Sequence, residues 1–456
     1  MRATDRRLTV GSMRELSAVG IVCGLAAAYG GLVLTAADVL GAAGEHTDGA
    51  LAVVLGIVAT VFIMIALFVS SLVIAHGVDT VIVGRAQHLQ MLRLVGASAR
   101  QLRVSLLRGV AQVAAIGAGV GLVVGVGLAD IARVSLVSRG VLPDIRYGYL
   151  PPTTLIAASA VVVTAVIATH FGSRRVLSGA PADPSANRLH WLRRTVAVVA
   201  LGVGALLLAA ACLLGEEGSS AGFAVAFLGT ALTCLGLLIG APLVVPAAVA
   251  AVSAALGRGP AATLARKNAV ADPGRTTRST IGLLIGVTLV TTVVAGMSSL
   301  QDSVDRWGLT AEQLADNRQG LEMMTWVLAG LIGISVVIAA VGFISTMSLT
   351  VVRRTREIGV LRALGFTARQ VRGSIACESL ALSGTAMVGG LVLGIVFGAI
   401  GSQSLLGALT PGFPIGVPPA ALLAIVAGTV GLAAAAAVVP SRRAVSVPPV
   451  DALAVV

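Results

Sequence analysis

The sequence predicts an all-α polytopic membrane protein with about ten transmembrane helices. Its mean hydropathy is +0.97, and charged residues make up 11% of the chain, whereas a soluble domain carries about 25%. Ten stretches also reach the roughly 20 apolar residues needed to cross about 30 Å of hydrocarbon. These stretches lie near 17–39, 50–75, 106–128, 152–171, 195–214, 221–246, 280–300, 322–345, 379–401 and 419–440.

The distribution of basic residues predicts the orientation of the chain. With ten spans and both termini in the cytoplasm, all but five of the 32 basic residues fall on the cytoplasmic side. This is the positive-inside pattern, so the net charge of +12 indicates topology and argues against a nucleic-acid partner. Frequent Arg over Lys, with abundant Ala, Gly and Val, is typical of GC-rich bacteria. We therefore predict a multi-pass protein of the bacterial cytoplasmic (inner) membrane, with the lipid bilayer around it.

An internal repeat divides the chain. The segment "LRLVGASARQLR" at 92–103 matches "LRALGFTARQVR" at 361–372, with seven of twelve positions identical, and "SRRVLSGAPAD" at 173–183 matches "SRRAVSVPPVD" at 441–451. Six spans separate equivalent helices, so the two copies have the same orientation and form a parallel repeat.

The repeat predicts three segments joined in one chain. The first unit holds spans 1–4 with a cytoplasmic loop at about 77–105, a connector holds spans 5 and 6, and the second unit holds spans 7–10 with a loop at about 347–376. The predicted bounds are 1–176, 177–263 and 264–456. Within the sixth span, Pro242 and Pro246 predict a kink or the point where the helix leaves the bilayer.

The two cytoplasmic loops share a pattern of helix, sharp stop and freshly capped helix. In the second loop, Gly365 suits the left-handed position that ends a helix, and Thr367 with Gln370 matches the S/T-x-x-E/Q capping box. The first loop repeats this pattern at Gly96, Ser98 and Gln101. A solvated turn needs only scattered arginines, whereas a short rigid helix that presents one apolar face, formed by Ile358, Leu361 and Leu364, suits contact with a partner protein.

Glycines at four-residue spacing predict close helix packing in both units. Small residues four apart let two membrane helices approach closely. Static packing is the plain interpretation, and a sliding seam that transmits movement across the membrane is the functional hypothesis. The glycines concerned are Gly117, Gly121, Gly125, Gly390, Gly394 and Gly398.

The run "RTREIGVLRALGFTARQV" resembles the cytoplasmic coupling loop of the FtsX/MacB-type permeases of ABC transporters. Glu378 and Gly384 in the next span, "SRRAVSVPPVDAL" near the C-terminus and "LARKNAVADPGRTTRST" at 264–280 are also similar to that family. The arrangement is similar to the fused ten-span members, such as the bacitracin-type and lipoprotein-release relatives. It lacks the large extracytoplasmic domain of MacB and the bacitracin-type permeases, because the outside segments near 129–151 and 301–321 have only about twenty residues each.

The resemblance implies that both loops dock on an ABC ATPase subunit, with two ATPase copies for each permease chain. The first loop departs from the family, because Gln87, His88 and Gln90 stand where the second has Arg356, Glu357 and Gly359, and Gly109 stands at the position of Glu378. The ATPase-coupling residues implied are Arg354, Arg356, Glu357, Gly359, Leu361, Arg362 and Gly365, with Arg85, Arg93, Gly96 and Arg100 in the first loop.

No catalytic, cofactor-binding or metal-binding residues are predicted on this chain. A P-loop needs Gly-x-x-x-x-Gly-Lys-Ser/Thr, and the single lysine, Lys267, follows no such glycine loop. ATP and Mg are therefore expected on the partner subunit, and this chain is not expected to be an enzyme.

The family implies export or extraction of an amphipathic substrate such as an antimicrobial peptide, a lipid or a lipid-linked molecule. One alternative is a non-transporting mechanotransmission or sensory protein that acts on an extracytoplasmic partner such as a cell-wall hydrolase or a sensor kinase. A remote alternative is an ion-coupled secondary transporter, although the span centres lack the ionisable residues that such transporters use.

Overall fold

A computed structural model describes most of the chain as long α-helices. It covers residues 13–45, 86–138, 152–177, 186–219, 221–257, 259–305, 355–408 and 416–446, with isolated positions between 63 and 82 and at 336, 340 and 343. The helices are α1 (Met13–Glu45), α2 (Ala86–Leu94), α3 (Ala99–Ser138), α4 (Pro152–Leu177), α5 (Ala186–Glu216), α6 (Ala221–Ala255), α7 (Pro260–Ala271), α8 (Pro273–Asp305), α9 (Thr355–Ala363), α10 (Ala368–Leu406) and α11 (Pro419–Ser446). No strand occurs in these ranges.

The predicted fold class is confirmed. Eight of the described helices are long and apolar enough to cross a membrane, and they cover eight of the ten predicted spans. The other two predictions, 50–75 and 322–345, lie almost wholly outside the described residues. Helices are expected for these spans, because backbone groups in hydrocarbon must be satisfied within a helix.

Unit 1 comprises the described residues up to Leu177. Helix α1 packs along α3, and α4 packs against both. Small buried side chains such as Cys23, Ala27 and Ala114 fill the centre of this bundle, so the helix axes approach closely. The short helix α2 lies at the end of the bundle where α3 begins.

Unit 2 comprises the described residues from Ala186 onward. Helix α8 packs along α10, the hairpin α5–α6 packs on α10, and α7 and α11 also contact α10. Helix α10 is therefore the central element of this unit. Helices α5 and α6 belong to the predicted connector, and they pack within unit 2; the predicted division at 177 and 263 stays a prediction.

Helix α6 continues through both of its prolines to Ala255. Pro242 has no N–H and its ring disturbs the preceding turn, which leaves carbonyl groups there without helical partners. Arg193 of α5 donates its Nε–H to the carbonyl oxygen of Ile239 at 2.9 Å. This side chain adds a hydrogen bond between α5 and α6 one turn before Pro242.

The order and lengths of the helices repeat between the units. Helices α1 and α8 each have 33 residues, and α2 and α9 each have nine. The long helices α3 and α10 have 40 and 39 residues, and α4 and α11 have 26 and 28. Each unit therefore presents a first span, a short helix, a long helix and a last span in the same order along the chain.

Candidate functional site

Each unit contains a short helix that turns sharply into the long helix. We call these elements elbow 1, residues 86–101, and elbow 2, residues 355–370. Both turn at a glycine with positive φ, 103° at Gly96 and 95° at Gly365, a backbone conformation that side chains with a Cβ rarely adopt. In elbow 1 the Ala97 N–H donates to the Leu92 carbonyl at 3.0 Å, which satisfies a carbonyl at the end of α2 in the manner of a Schellman stop.

A capping box begins the long helix in each elbow, as the sequence predicted. The Ser98 N–H donates to Gln101 Oε1 at 3.2 Å, and the Gln101 N–H donates to Ser98 Oγ at 3.2 Å. In elbow 2 the Thr367 N–H donates to Gln370 Oε1 at 2.9 Å, and the Gln370 N–H donates to Thr367 Oγ1 at 3.3 Å. The predicted stop and cap are therefore confirmed in both copies.

Apolar contacts hold each short helix against the helix that follows it. In elbow 1, Leu89 is buried against Leu102 and Leu106 of α3. In elbow 2, Ile358 is buried in the same core as Val371 and Ile375 of α10. Because the short helix is anchored both by the capped turn and by a buried side chain, each elbow is a rigid corner.

The outer surface of each elbow exposes large apolar side chains beside arginines. Leu94 and Val95 are 88% and 87% exposed in elbow 1, and Leu364 is 74% exposed in elbow 2. The predicted apolar face is therefore not a single surface. Ile358 of α9 is buried in the core, whereas Leu364, just after α9, is exposed. Sequence reasoning included Leu364 in a partner-facing surface but missed Leu94 and Val95 of elbow 1, although Val95 stands directly before the turn glycine as Leu364 does.

The structure places most of the predicted coupling residues on the elbows. Arg93, Arg100 and Glu357 are exposed, Arg362 is half-buried, and Gly359 is buried. Arg356 and Leu361 lie on α9. Arg85 and Arg354 fall outside the described residues. The role of the whole set in coupling stays a prediction.

The long helices extend well beyond the predicted membrane boundary. Helix α10 has 39 residues, which corresponds to about 58 Å at 1.5 Å per residue, against about 30 Å of hydrocarbon. It begins at Ala368, eleven residues before the predicted span start at 379. About three turns of continuous helix therefore connect elbow 2 to the membrane-spanning part of α10.

The seam between α1 and α3 in unit 1 brings glycine against glycine. Gly117 and Gly121 of α3 pack against main-chain atoms of Gly20 and Gly24 of α1. A Cβ added at Gly121 would lie 2.9 Å from Gly24 Cα, closer than real Cβ contacts. Gly125 packs in the same way against the backbone of Ala28. The backbones of the two helices are thus in direct contact over about two turns.

The seam between α8 and α10 in unit 2 has side chains opposite its glycines. A Cβ added at Gly390 would lie 2.7 Å from Val287 Cβ, and one at Gly394 would meet the Thr291 side chain and, at 2.8 Å, the Thr288 carbonyl oxygen. Gly398 faces the backbone of Thr292 and Gly296. The hydroxyl groups of Thr288 and Thr291 are buried and, within the described part of the chain, have no hydrogen-bond partner.

An ion pair joins α8 to α10 on the elbow side of unit 2. Arg275 Nη2 lies 3.3 Å from Glu378 Oε1, and the two side chains are 20% and 13% exposed. Local sequence patterns do not predict this pair, because 103 residues separate its members. Their proximity depends on the packing of α8 along α10.

One family model matches both repeats of this chain. The model of the FtsX-like permease C-terminal domain matches this chain twice, at residues 60–181 and 329–449, which together make more than half of the chain. Each match contains an elbow and the long helix that follows it.

Curated relatives match over shorter stretches. A macrolide export ATP-binding/permease protein MacB from Nitrobacter winogradskyi is 33% identical over 144 residues, 31% of this chain and 21% of the relative. Uncharacterised ABC transporter permeases from Methanocaldococcus jannaschii and Bacillus subtilis are both 36% identical, over 93 and 77 residues. Those matches cover 20% and 17% of this chain and 23% and 19% of the relatives. The matched segments thus span about a fifth of the length of these proteins.

Proposed function

The chain belongs to the FtsX-like permease family, and we propose that it is the transmembrane subunit of an ABC transporter driven by a separate ATPase subunit. The observation that carries the proposal is the pair of elbows, each a rigid corner with an exposed apolar tip at the start of a long helix. ATP and Mg would bind to the partner, since these 456 residues contain no P-loop sequence.

The exposed tips supply a reason for a protein partner at this face. Leu94, Val95 and Leu364 are large apolar residues in a segment rich in arginine. Complete burial of a leucine or valine side chain contributes about 1.5–3 kcal/mol, so a partner that covers these tips gains affinity from them. The exposed cations Arg93 and Arg100 and the carboxylate of Glu357 would add specificity at the rim of the contact.

Two elbows of the same construction favour two ATPase copies for each permease chain. ATPase closure would move α2 and α9, and the capped turns would pass the movement to α3 and α10. The positive-inside distribution supports an orientation with both elbows and both termini in the cytoplasm of a bacterial cell.

The substrate class proposed is an amphipathic molecule taken from the membrane: an antimicrobial peptide, a lipid or a lipid-linked molecule. The predicted outside segments are too short for a large capture domain, and a substrate held by the bilayer needs none. The relative from Nitrobacter winogradskyi is named for macrolide export. We propose the same outward direction, export or extraction, for this chain.

The first test is whether an adjacent reading frame encodes a Walker-type ATPase that co-purifies with this chain, and binding to that ATPase then tests the proposal. The full chain is reconstituted in nanodiscs, and its affinity for that ATPase and the hydrolysis rate are measured. We expect Leu364→Asp to lower the affinity by about tenfold or more, because the tip loses its apolar contact. Substitution of Glu357 and Arg362 together should abolish stimulated hydrolysis while membrane insertion is retained.

The matched control is Arg194→Ala, which removes an exposed charge from the start of α5 and touches neither elbow. Its affinity should equal that of the unaltered chain. If the Leu364→Asp and control proteins bind equally well, elbow 2 does not dock on the ATPase. If hydrolysis is stimulated but no amphipathic substrate moves in vesicles, the mechanotransmission alternative takes the place of transport.

A further inference from the structure

The ion pair between Arg275 and Glu378 stands at the junction of elbow 2 with the rest of unit 2. Arg275 lies in the first turn of α8, and Glu378 lies eight residues after Gln370 on α10. Their side chains are largely shielded from water. A shielded charge is unfavourable unless an opposite charge accompanies it, and in this pair the two opposite charges lie side by side.

Local helix stability does not explain the presence of Arg275. A cation in the first turn of a helix opposes the helix dipole, which favours negative charge there. The helix start is capped instead by Asp272, whose Oδ1 accepts the Arg275 N–H at 3.1 Å. The guanidinium therefore lies where α8 gains nothing from its charge, and it forms an ion pair with Glu378 on α10.

The position of Arg275 is fixed by a rigid corner between α7 and α8. Thr276 donates its hydroxyl to the Ala269 carbonyl at 3.0 Å, which ties the end of α7 to the start of α8. The buried face of α7, Ala262, Ala265 and Ala269, belongs to a helix that packs on α6 and α10. Arg275 thus lies on a corner held by α7, and its side chain forms a charged link between α8 and α10.

Unit 1 has no equivalent of this link on its long helix. Gly109 of α3 stands at the position of Glu378 under the 269-residue offset of the repeat, and Gly109 is buried. The long helix of unit 1 carries no carboxylate at this level.

We propose that Arg275 and Glu378 are positioning residues that form a clamp, which makes α8 move with α10 when elbow 2 is displaced. The inference rests on the proposed function. It implies that the two elbows are not equivalent: elbow 2 drives two helices through the clamp, whereas elbow 1 drives α3 without one.

Charge removal and charge exchange test the clamp. The variants are Glu378→Gln, Arg275→Gln, and the exchange Arg275→Glu with Glu378→Arg, each reconstituted as the full chain in nanodiscs with the ATPase. Affinity for the ATPase and its maximal stimulated hydrolysis are measured separately. We expect each single variant to bind normally but to lower the stimulation by about tenfold, and we expect the exchange to restore most of it.

The matched control is Arg278→Gln, which removes the next cation along α8 and should leave the stimulation unchanged. A merely structural pair would lower folded yield and affinity together, whereas the clamp changes maximal stimulation at constant affinity. If a single variant does not fold, the exchange variant tests the clamp instead, because it again places opposite charges on α8 and α10.

The possible failures are distinguishable. Normal stimulation in Glu378→Gln, or an exchange variant that folds and binds but is not stimulated, overturns the clamp while the proposed function stands. Absence of ATPase binding by the unaltered chain refutes the proposed function and the clamp with it.

Discussion

The seams of unit 1 and unit 2 differ in what stands opposite the glycines of the long helix. In unit 1, Gly117 and Gly121 meet the backbone of α1 directly. In unit 2, Gly390 and Gly394 meet side chains of α8 as well as its backbone. The first contact has no side-chain atoms that could rearrange, whereas the second includes side chains that can change rotamer or be replaced.

The buried hydroxyls of unit 2 strengthen this contrast. An unsatisfied buried polar group destabilises a packed state by about 1–3 kcal/mol, and Thr288 and Thr291 each contribute such a group at the seam. The seam of unit 2 thus combines side chains with unsatisfied hydroxyls, whereas the seam of unit 1 packs backbone against backbone. The sliding-seam hypothesis stays a prediction for both units.

The largest loss of stability is expected from a substitution at the glycine–glycine contact of unit 1. In Gly121→Ala, the new Cβ collides with the backbone of Gly24, which cannot move unless the helices separate. Overpacking of this kind destabilises by about 3 kcal/mol or more. The measurement is the fraction of folded protein that survives heating in detergent, compared with the unaltered chain.

Gly119→Ala is the matched control for Gly121→Ala, because it lies two residues earlier on α3 and a Cβ there meets nothing within 4 Å. Its thermal stability should be unchanged. Equal losses in the two variants would show that helix flexibility, and not close contact, explains the need for glycine in α3.

A smaller loss of stability is expected from the corresponding substitution in unit 2. In Gly390→Ala the new Cβ meets chiefly the Val287 side chain, and we expect a destabilisation of about 1–2 kcal/mol. Because the obstacle is a side chain, the loss in the double variant Gly390→Ala with Val287→Gly should be smaller than the sum of the two single losses. The heating assay compares the two single variants with the double variant, and strictly additive losses would contradict the assigned contact.

The elbows were predictable because their determinants are local. A glycine followed by Ser or Thr and then by Gln three positions later specifies a stop and a new helix within six residues. The structure bears this out at Gly96 and at Gly365. Likewise, the spans could be predicted from their length and hydropathy. A single segment that crosses hydrocarbon must form its backbone hydrogen bonds internally, and only a helix allows this.

Contacts between distant segments could not be predicted from the same signals. Glycine spacing showed that one face of α10 is narrow, but it did not show that Thr291 stands opposite Gly394. The pairing of Arg275 with Glu378 and the support of α6 by Arg193 are likewise products of tertiary packing. One sequence carries no record of which helix faces which.

The smallest difference between the units is expected at their capping boxes, because both make the same pair of hydrogen bonds. Ser98→Ala and Thr367→Ala each remove the side-chain oxygen that accepts the N–H of the third helical residue, which destabilises a helix by about 1 kcal/mol. Hydrogen exchange of the first turn of α3 and of α10 measures the effect locally. Similar increases in exchange at both elbows would show that the two units do not differ at their capping boxes. The difference between them would then lie in the seams and in the Arg275–Glu378 clamp. A much larger increase at one elbow would place it in the turn itself.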